Sequence, residues 1–146
     1  MLDLDKLILD SVKNHNGVQT KAFREIKAGK LKLLTAKNAK EYDDSAEISL
    51  IKKILSEHTE SYEQFKNANR VELMNDEENI INFLSSLLPK EPTDEEMFYT
   101  LKSLMPTDKI SIHKAQMGFV INAMKKALPG ANGKKIADLV KQYIND

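Results

Sequence analysis

The chain has 146 residues, 41% of them hydrophobic and 30% charged, with a formal net charge of zero. That length suits one ordinary domain or two small helical ones, and the composition is that of a globular protein, not a disordered one. The absence of cysteine excludes a disulfide framework, a thiol nucleophile and a thiolate metal site.

Asp3, Asp5 and Asp10 in the opening segment argue against a signal peptide. No apolar run approaches the roughly 20 residues of a membrane span. The expectation is therefore a cytoplasmic chain with no membrane contact. The charge is blocked along the sequence. Gly17–Lys40 carries seven basic residues and one acidic, Glu41–Thr100 five and fifteen, and Lys109–Asp146 seven and two. Two basic segments flanking an acidic middle can steer a polyanion to one face and away from another, or can serve only as solvated helix surface.

Nearly every segment has helical periodicity, so the expected fold is all-α. Leu4, Leu7, Ile8 and Val12 form a first stripe, ending near Asn14–Gly17. A second helix is predicted from about Val18 to Lys40, with Ala22, Phe23, Ile26, Leu31, Leu33 and Leu34 as its apolar positions. Ser45 is the expected cap of a third helix carrying Ile48, Ile51, Leu55, Tyr62 and Phe65. A fourth runs from about Val71 to Leu88, with Leu73, Ile80, Ile81, Leu84, Leu87 and Leu88 inward, and Pro89 ends it.

The two prolines of Pro89–Thr93 read as a hinge. Thr93 and Glu96 form a capping box for a fifth helix whose core face is Met97, Leu101 and Leu104, broken at Pro106. A sixth helix is expected to start near Ser111 and to carry Met117, Val120, Ile121 and Met124. After the turn at Pro129–Gly130, Asn132 caps a last helix with Ile136, Leu139, Val140 and Ile144 inward. The organisation predicted is an N-terminal unit of about four helices, residues 1–90, and a small three-helix C-terminal unit, residues 91–146.

No residue set forms a recognisable catalytic centre. The five glycines match no phosphate-binding loop. His15, His58 and His113 are far apart in sequence and form no metal-ligand pair; His58 reads as a surface or interface histidine. Asp76, Glu77 and Glu78 are consecutive on a helix and so point about 100° apart, which suits a solvated face better than a metal site. Glu63, Glu72 and Glu77 share no evident pocket. Met97, Met105, Met117 and Met124 fit core filling better than a binding groove. No cofactor, metal or catalytic residue is assigned.

The C-terminal lysines say more. Lys125 and Lys126 end the sixth helix, and Lys134 and Lys135 begin the last one after a tight turn. Lysines at a helix N-terminus oppose the dipole there, a cost that makes sense if an anion binds. The exposed N–H groups of that helix with four lysines would receive a phosphate. Plain solvent-facing lysines are the competing reading.

These residues also carry a resemblance. Met117-Gly118-Phe119-Val120, Gly130-Ala131-Asn132-Gly133-Lys134-Lys135 and Leu139-Val140-Lys141 resemble the M-G-x-V-M, G-x-A-D-G-K-x-V and L-V-K signature of the GatB/YqeY family. Glu63-Gln64-Phe65-Lys66-Asn67-Ala68-Asn69-Arg70 is similar to its E-x-F-K-K-A-G-R, Leu87-Leu88-Pro89 to its Y-L-P, and Phe23-Arg24 to its early helix. The match runs almost end to end and rests on the order and spacing of the motifs. It implies a helical N-terminal unit and a three-helix unit similar to the tail of the GatB component of the aspartyl/glutamyl-tRNA amidotransferase, where the tail helps hold the tRNA body. The family label of carbon–nitrogen ligase with glutamine as amido-nitrogen donor comes with it, but this chain shows neither nucleophile nor ATP site and is not expected to be catalytic alone. Gly130 stands where the family often has a basic residue, His58-Thr59 where it often has a basic pair, and Asn132 where it usually has Asp.

The leading expectation is thus a YqeY-like module that binds tRNA or other structured RNA through Lys125, Lys126, Asn132, Lys134 and Lys135, with Arg24, Lys27 and Lys30 extending the surface. A tRNA-handling enzyme is a further expected partner. The alternative is an adaptor that docks on a protein through its acidic middle helices.

Overall fold

A computed structural model describes residues 1–105 and 109–145. Within them the chain is helical, with no extended strand, and it divides into two compact units, Met1–Leu88 and Pro89–Asp146. The break expected at Pro106 lies outside the described residues.

The first unit holds α1 (Leu4–Lys13), α2 (Gly17–Thr35), α3 (Asp44–Asn67) and α4 (Val71–Leu87). Two of its connections are set by the same local device. His15 and Asn69 take left-handed backbone angles, φ 54° and 56°. Each lets the following N–H reach back to a last-turn carbonyl, Asn16 to Ser11 at 2.9 Å and Arg70 to Phe65 at 2.9 Å, which satisfies the frayed end. Asn16 then caps α2 by accepting from Gln19 N–H at 3.1 Å.

The core is built from Leu4, Ala22, Phe23, Ile26, Leu50, Ile51, Ile54, Ile80 and Leu84. α3 packs most extensively on α4, and α1 on α2. Phe23 meets Phe83 edge to face at 5.3 Å, joining α2 to α4. Two polar residues are buried with partners. Ser11 donates to Ile8 O and meets the Thr20 hydroxyl at 2.8 Å. Glu47 accepts from Leu2 N–H at 3.1 Å and Tyr42 O–H at 3.4 Å. Burial, then the neighbouring Glu47 charge, pushes the Tyr42 phenol up to about 12.

Several expectations are corrected here. α2 stops at Thr35, not Lys40. The Thr35 hydroxyl donates to Leu31 O at 2.8 Å, competing for a last-turn carbonyl, and Ala36 turns extended. Asp43, not Ser45, caps α3, accepting from Ala46 N–H at 2.8 Å. Leu31, Leu33 and Leu34, assigned to the apolar face of α2, are about half exposed. Val12, Leu73 and Leu104 are exposed as well, each near an element's end.

The second unit holds α5 (Asp94–Ser103), one 3₁₀ turn (Lys114–Gln116), α6 (Met117–Ala127) and α7 (Gly133–Lys141) around Met97, Leu101, Ile112, Val120, Met124, Ile136 and Val140. Thr93 and Glu96 form the full capping box of α5. α6 does not start near Ser111. Ile112 instead pairs in parallel with Ile144, its N–H donating to Tyr143 O and its O accepting from Asn145 N–H, both at 3.0 Å. That pairing ends α7 at Lys141 and ties the tail to the segment before α6.

Candidate nucleic-acid interface

The α6–α7 bend is held by backbone packing. A methyl group placed on Gly130 would lie 2.5 Å from Lys90 O and 2.9 Å from Pro89 O, well inside contact distance. A side chain at 130 would require the bend or the Pro89–Lys90 backbone to shift. Asn132 then opens α7, its side-chain oxygen accepting from Lys134 N–H at 2.8 Å and from Lys135 N–H at 3.4 Å. Two of the amides expected to be open to a phosphate are therefore already engaged. The Gly133 N–H is the first-turn amide that Asn132 leaves alone.

Of the four lysines, three are open. Lys125 and Lys126 lie in the last turn of α6 and Lys134 in the first turn of α7; all are exposed and hold no ion pair among the described residues. Lys125 folds towards the start of α7: a methyl group on Gly133 would come within 3.3 Å of its Cε and 3.6 Å of its Nζ. An ammonium and the positive end of a helix are thus brought together, an arrangement that is repulsive until an anion intervenes. Lys135 is different. Its Nζ bonds Glu91 at 3.0 Å, and that hydrogen bond, with the carboxylate charge, raises its pKa. Beside the bend opens a cleft of about 510 Å³ lined by Lys90, Glu91, Glu96, Tyr99 and Leu128.

Arg24, Lys27 and Lys30 all lie on α2 in the first unit. Arg24 is exposed and, with Lys21, lines a cleft of about 810 Å³ along α1 and α2. Lys27 pairs with Asp5 at 2.6 Å, and the bond from Lys27 lowers the Asp5 pKa. Lys30 Nζ sits 5.0 Å from the centre of the Tyr42 ring. Two of the three thus have partners within the first unit.

The model of the YqeY-like protein family matches residues 3–144. The chain belongs to that family. No curated protein matches it. No helix among the described residues is long and apolar enough to cross a membrane, and no cluster of three or more acidic, histidine or cysteine side chains among them could hold a metal ion.

One constellation has no counterpart in the sequence motifs. His58 on α3 bridges two helices, its Nε2 to Glu25 on α2 at 2.7 Å and its Nδ1 to Glu77 on α4 at 2.5 Å. The imidazole is 11% exposed and the Glu77 side chain 13%. An imidazolium satisfies this geometry, since both of its ring nitrogens donate and a carboxylate oxygen accepts each. Burial disfavours that charge, but the two hydrogen bonds and the two negative charges outweigh it, and the His58 pKa rises above its ordinary 6.5. The signal lies in the stripes: Glu47, Ile51, Ile54 and His58 recur at three- and four-residue steps, as do Glu77, Ile80 and Leu84, so His58 and Glu77 occupy core-facing positions. The triad ties α2, α3 and α4 together. No nucleophile stands among its members.

Proposed function

We propose that this YqeY-like chain binds the phosphate backbone of structured RNA through the α6–α7 bend, with Lys125, Lys126 and Lys134 as the main contacts. The observation that carries the reading is that these three lysines, at the end of α6 and the start of α7, hold no acidic partner among the described residues, and that Lys125 lies against the Gly133 backbone. Lysine ammoniums and a helix N-terminus recognise the same ligand, a phosphate oxygen. Lys135 contributes less, because Glu91 already offsets its charge. Asn132 shapes the site as a cap and does not contact the RNA. Arg24 adds a separate basic point on the first unit, while Lys27 and Lys30 are drawn into contacts with Asp5 and Tyr42. The resemblance of the C-terminal segment to the GatB tail of the tRNA amidotransferase favours tRNA as the RNA. The role is binding, as an accessory to a tRNA-handling enzyme; no residue is assigned to carbon–nitrogen ligase chemistry.

A filter-binding titration against bulk tRNA tests this. Affinity should fall steeply with salt, because bound lysines release counterions. Reversing Lys125, Lys126 and Lys134 to Glu should abolish retention, and neutralising each singly should lower the salt slope by about one. Retention unchanged by the triple reversal would refute the reading.

An adaptor role keeps one observation of its own: Val71 is 59% exposed and Leu73 40%, beside Glu72 at the start of α4. A pull-down that recovers a protein and no RNA, and loses it on Val71→Asp, would favour that reading.

A further inference from the structure

The first basic segment of the chain ends in a place the RNA reading does not use. Beyond Gly29 the stripe of α2 loses its partners, and Leu31, Leu33 and Leu34 are 52%, 45% and 47% exposed. Leu33 faces a groove of about 450 Å³ between the end of α2, the loop that follows it and the start of α3. Its apolar lining includes Leu33, Ala36, Ala39 and the buried Leu50. Its walls carry Lys32, Lys40 and Lys53, opposed by the single acid Glu41. None of these three lysines has an ion pair among the described residues.

An apolar lining with an unpaired cationic rim defines its occupant by complementarity. A phosphate backbone would find the lysines but gain nothing from the apolar lining, whereas a neutral apolar segment would leave three lysines unanswered. Alanines in the lining let a second backbone approach closely, and a groove alongside a helix suits another helix laid into it with apolar residues at i, i+3, i+4 and i+7. Carboxylates on the flanks of that helix would meet Lys32, Lys40 and Lys53 and set its orientation. We propose that the α2–α3 groove of the first unit is a docking site for an acidic amphipathic helix of a partner protein. The site is independent of the lysines at the α6–α7 bend.

The test uses the full ¹⁵N-labelled chain and two synthetic helices of about 18 residues, long enough to hold helical structure. Both carry leucines at i, i+3, i+4 and i+7; one has glutamates on its flanks and the other lysines. The glutamate peptide should shift the amides of Gly29, Leu33, Ala39 and Leu50, and its affinity should fall with salt. Joint reversal of Lys32, Lys40 and Lys53 to Glu should weaken it about tenfold or more. Leu33→Asp should do the same while leaving the amide spectrum of α1 and α4 unchanged, which separates loss of the groove from loss of the fold. Absence of these shifts at millimolar peptide, equal binding of the lysine peptide, or shifts centred elsewhere would each overturn the proposal. So would sedimentation of the chain with phosphatidylglycerol vesicles that Leu33→Asp abolishes, since the groove would then be a membrane contact.

Discussion

The two units bury polar groups in opposite ways. The first buries Ser11 and Glu47, and nearly buries His58 with Glu77, each engaged by partners from another part of the unit. The second has a wholly apolar core among the described residues, and its charges lie outside. A buried hydrogen-bonded network adds little net stability but penalises wrong packings heavily, since every misalignment leaves a group unsatisfied. The first unit therefore has specificity built into its interior. The second has no such network in its core among the described residues, and Lys125, Lys126 and Lys134 of its bend remain open to a ligand.

The sharpest way to break this comparison is to cut an equal volume from each core. Leu84 on α4 and Leu101 on α5 are both fully buried. Truncating either to alanine should cost about 2–5 kcal/mol through lost transfer energy and a residual cavity. The consequences should differ. A unit of fewer than about 60 residues has little stability in reserve, so Leu101→Ala should leave the amides of α5–α7 exchanging near their unprotected rates while those of α3 and α4 stay protected. Leu84→Ala should lower the protection of the first unit without abolishing it. Hydrogen exchange read by mass spectrometry distinguishes the two, and equal loss throughout the chain would show that the units do not differ in this respect.

The second test bears on the titratable interior. The folded pKa of His58 is raised, so its bonds to Glu25 and Glu77 contribute fully below the unfolded value of about 6.5 and are lost as pH climbs through the folded value. His58→Gln keeps one donor and removes the titration. It should cost about 1.5–3 kcal/mol near pH 6, the usual worth of hydrogen bonds to charged groups. The gap between wild type and variant in urea melts should narrow steadily as pH rises above 6.5. A gap that is constant, or widens, would show that the ring is neutral in the fold. No such pH-dependent difference is expected from substitutions in the core of the second unit.

How much of this is readable from the sequence follows from how local each feature is. The capping box of Thr93 and Glu96 and the Asn132 cap each span four residues, and the sequence alone places them. The all-helical class is legible from apolar spacing such as that of Ile51, Ile54, Ile80 and Leu84, but the end of α2 and the start of α6 are not. Features needing a distant partner are not. Whether Leu31 and Leu34 are covered depends on where α3 begins, and the run Asp43, Asp44, Ser45 offers several caps, of which Asp43 wins. The Ile112–Ile144 pairing joins segments about 30 residues apart and gives no periodic signal. The lysines of the bend are legible as charges, but not that Glu91 takes Lys135 or that Asn132 occupies two amides. His58 and its two glutamates sit on three helices, and only the intrusion of His58 and Glu77 into apolar stripes hints at them.

The smallest expected effect sharpens the comparison most, because it separates fold from ligand within one side chain. Asn132→Asp keeps the cap, since both residues accept from the first-turn amides about equally well, and adds a negative charge where the helix dipole favours one. Melting should change by no more than a few tenths of a kcal/mol, in the stabilising direction at low salt. RNA affinity should move the other way, because the new carboxylate lies beside Lys125, Lys134 and Lys135 and repels phosphate. The second unit can be tuned this way because its polar groups are at the surface: charge there changes the ligand and spares the core. If Asn132→Asp left tRNA retention and its salt dependence untouched while the thermal midpoint stayed put, the bend would be a structural turn only, and RNA recognition would have to be sought on another face.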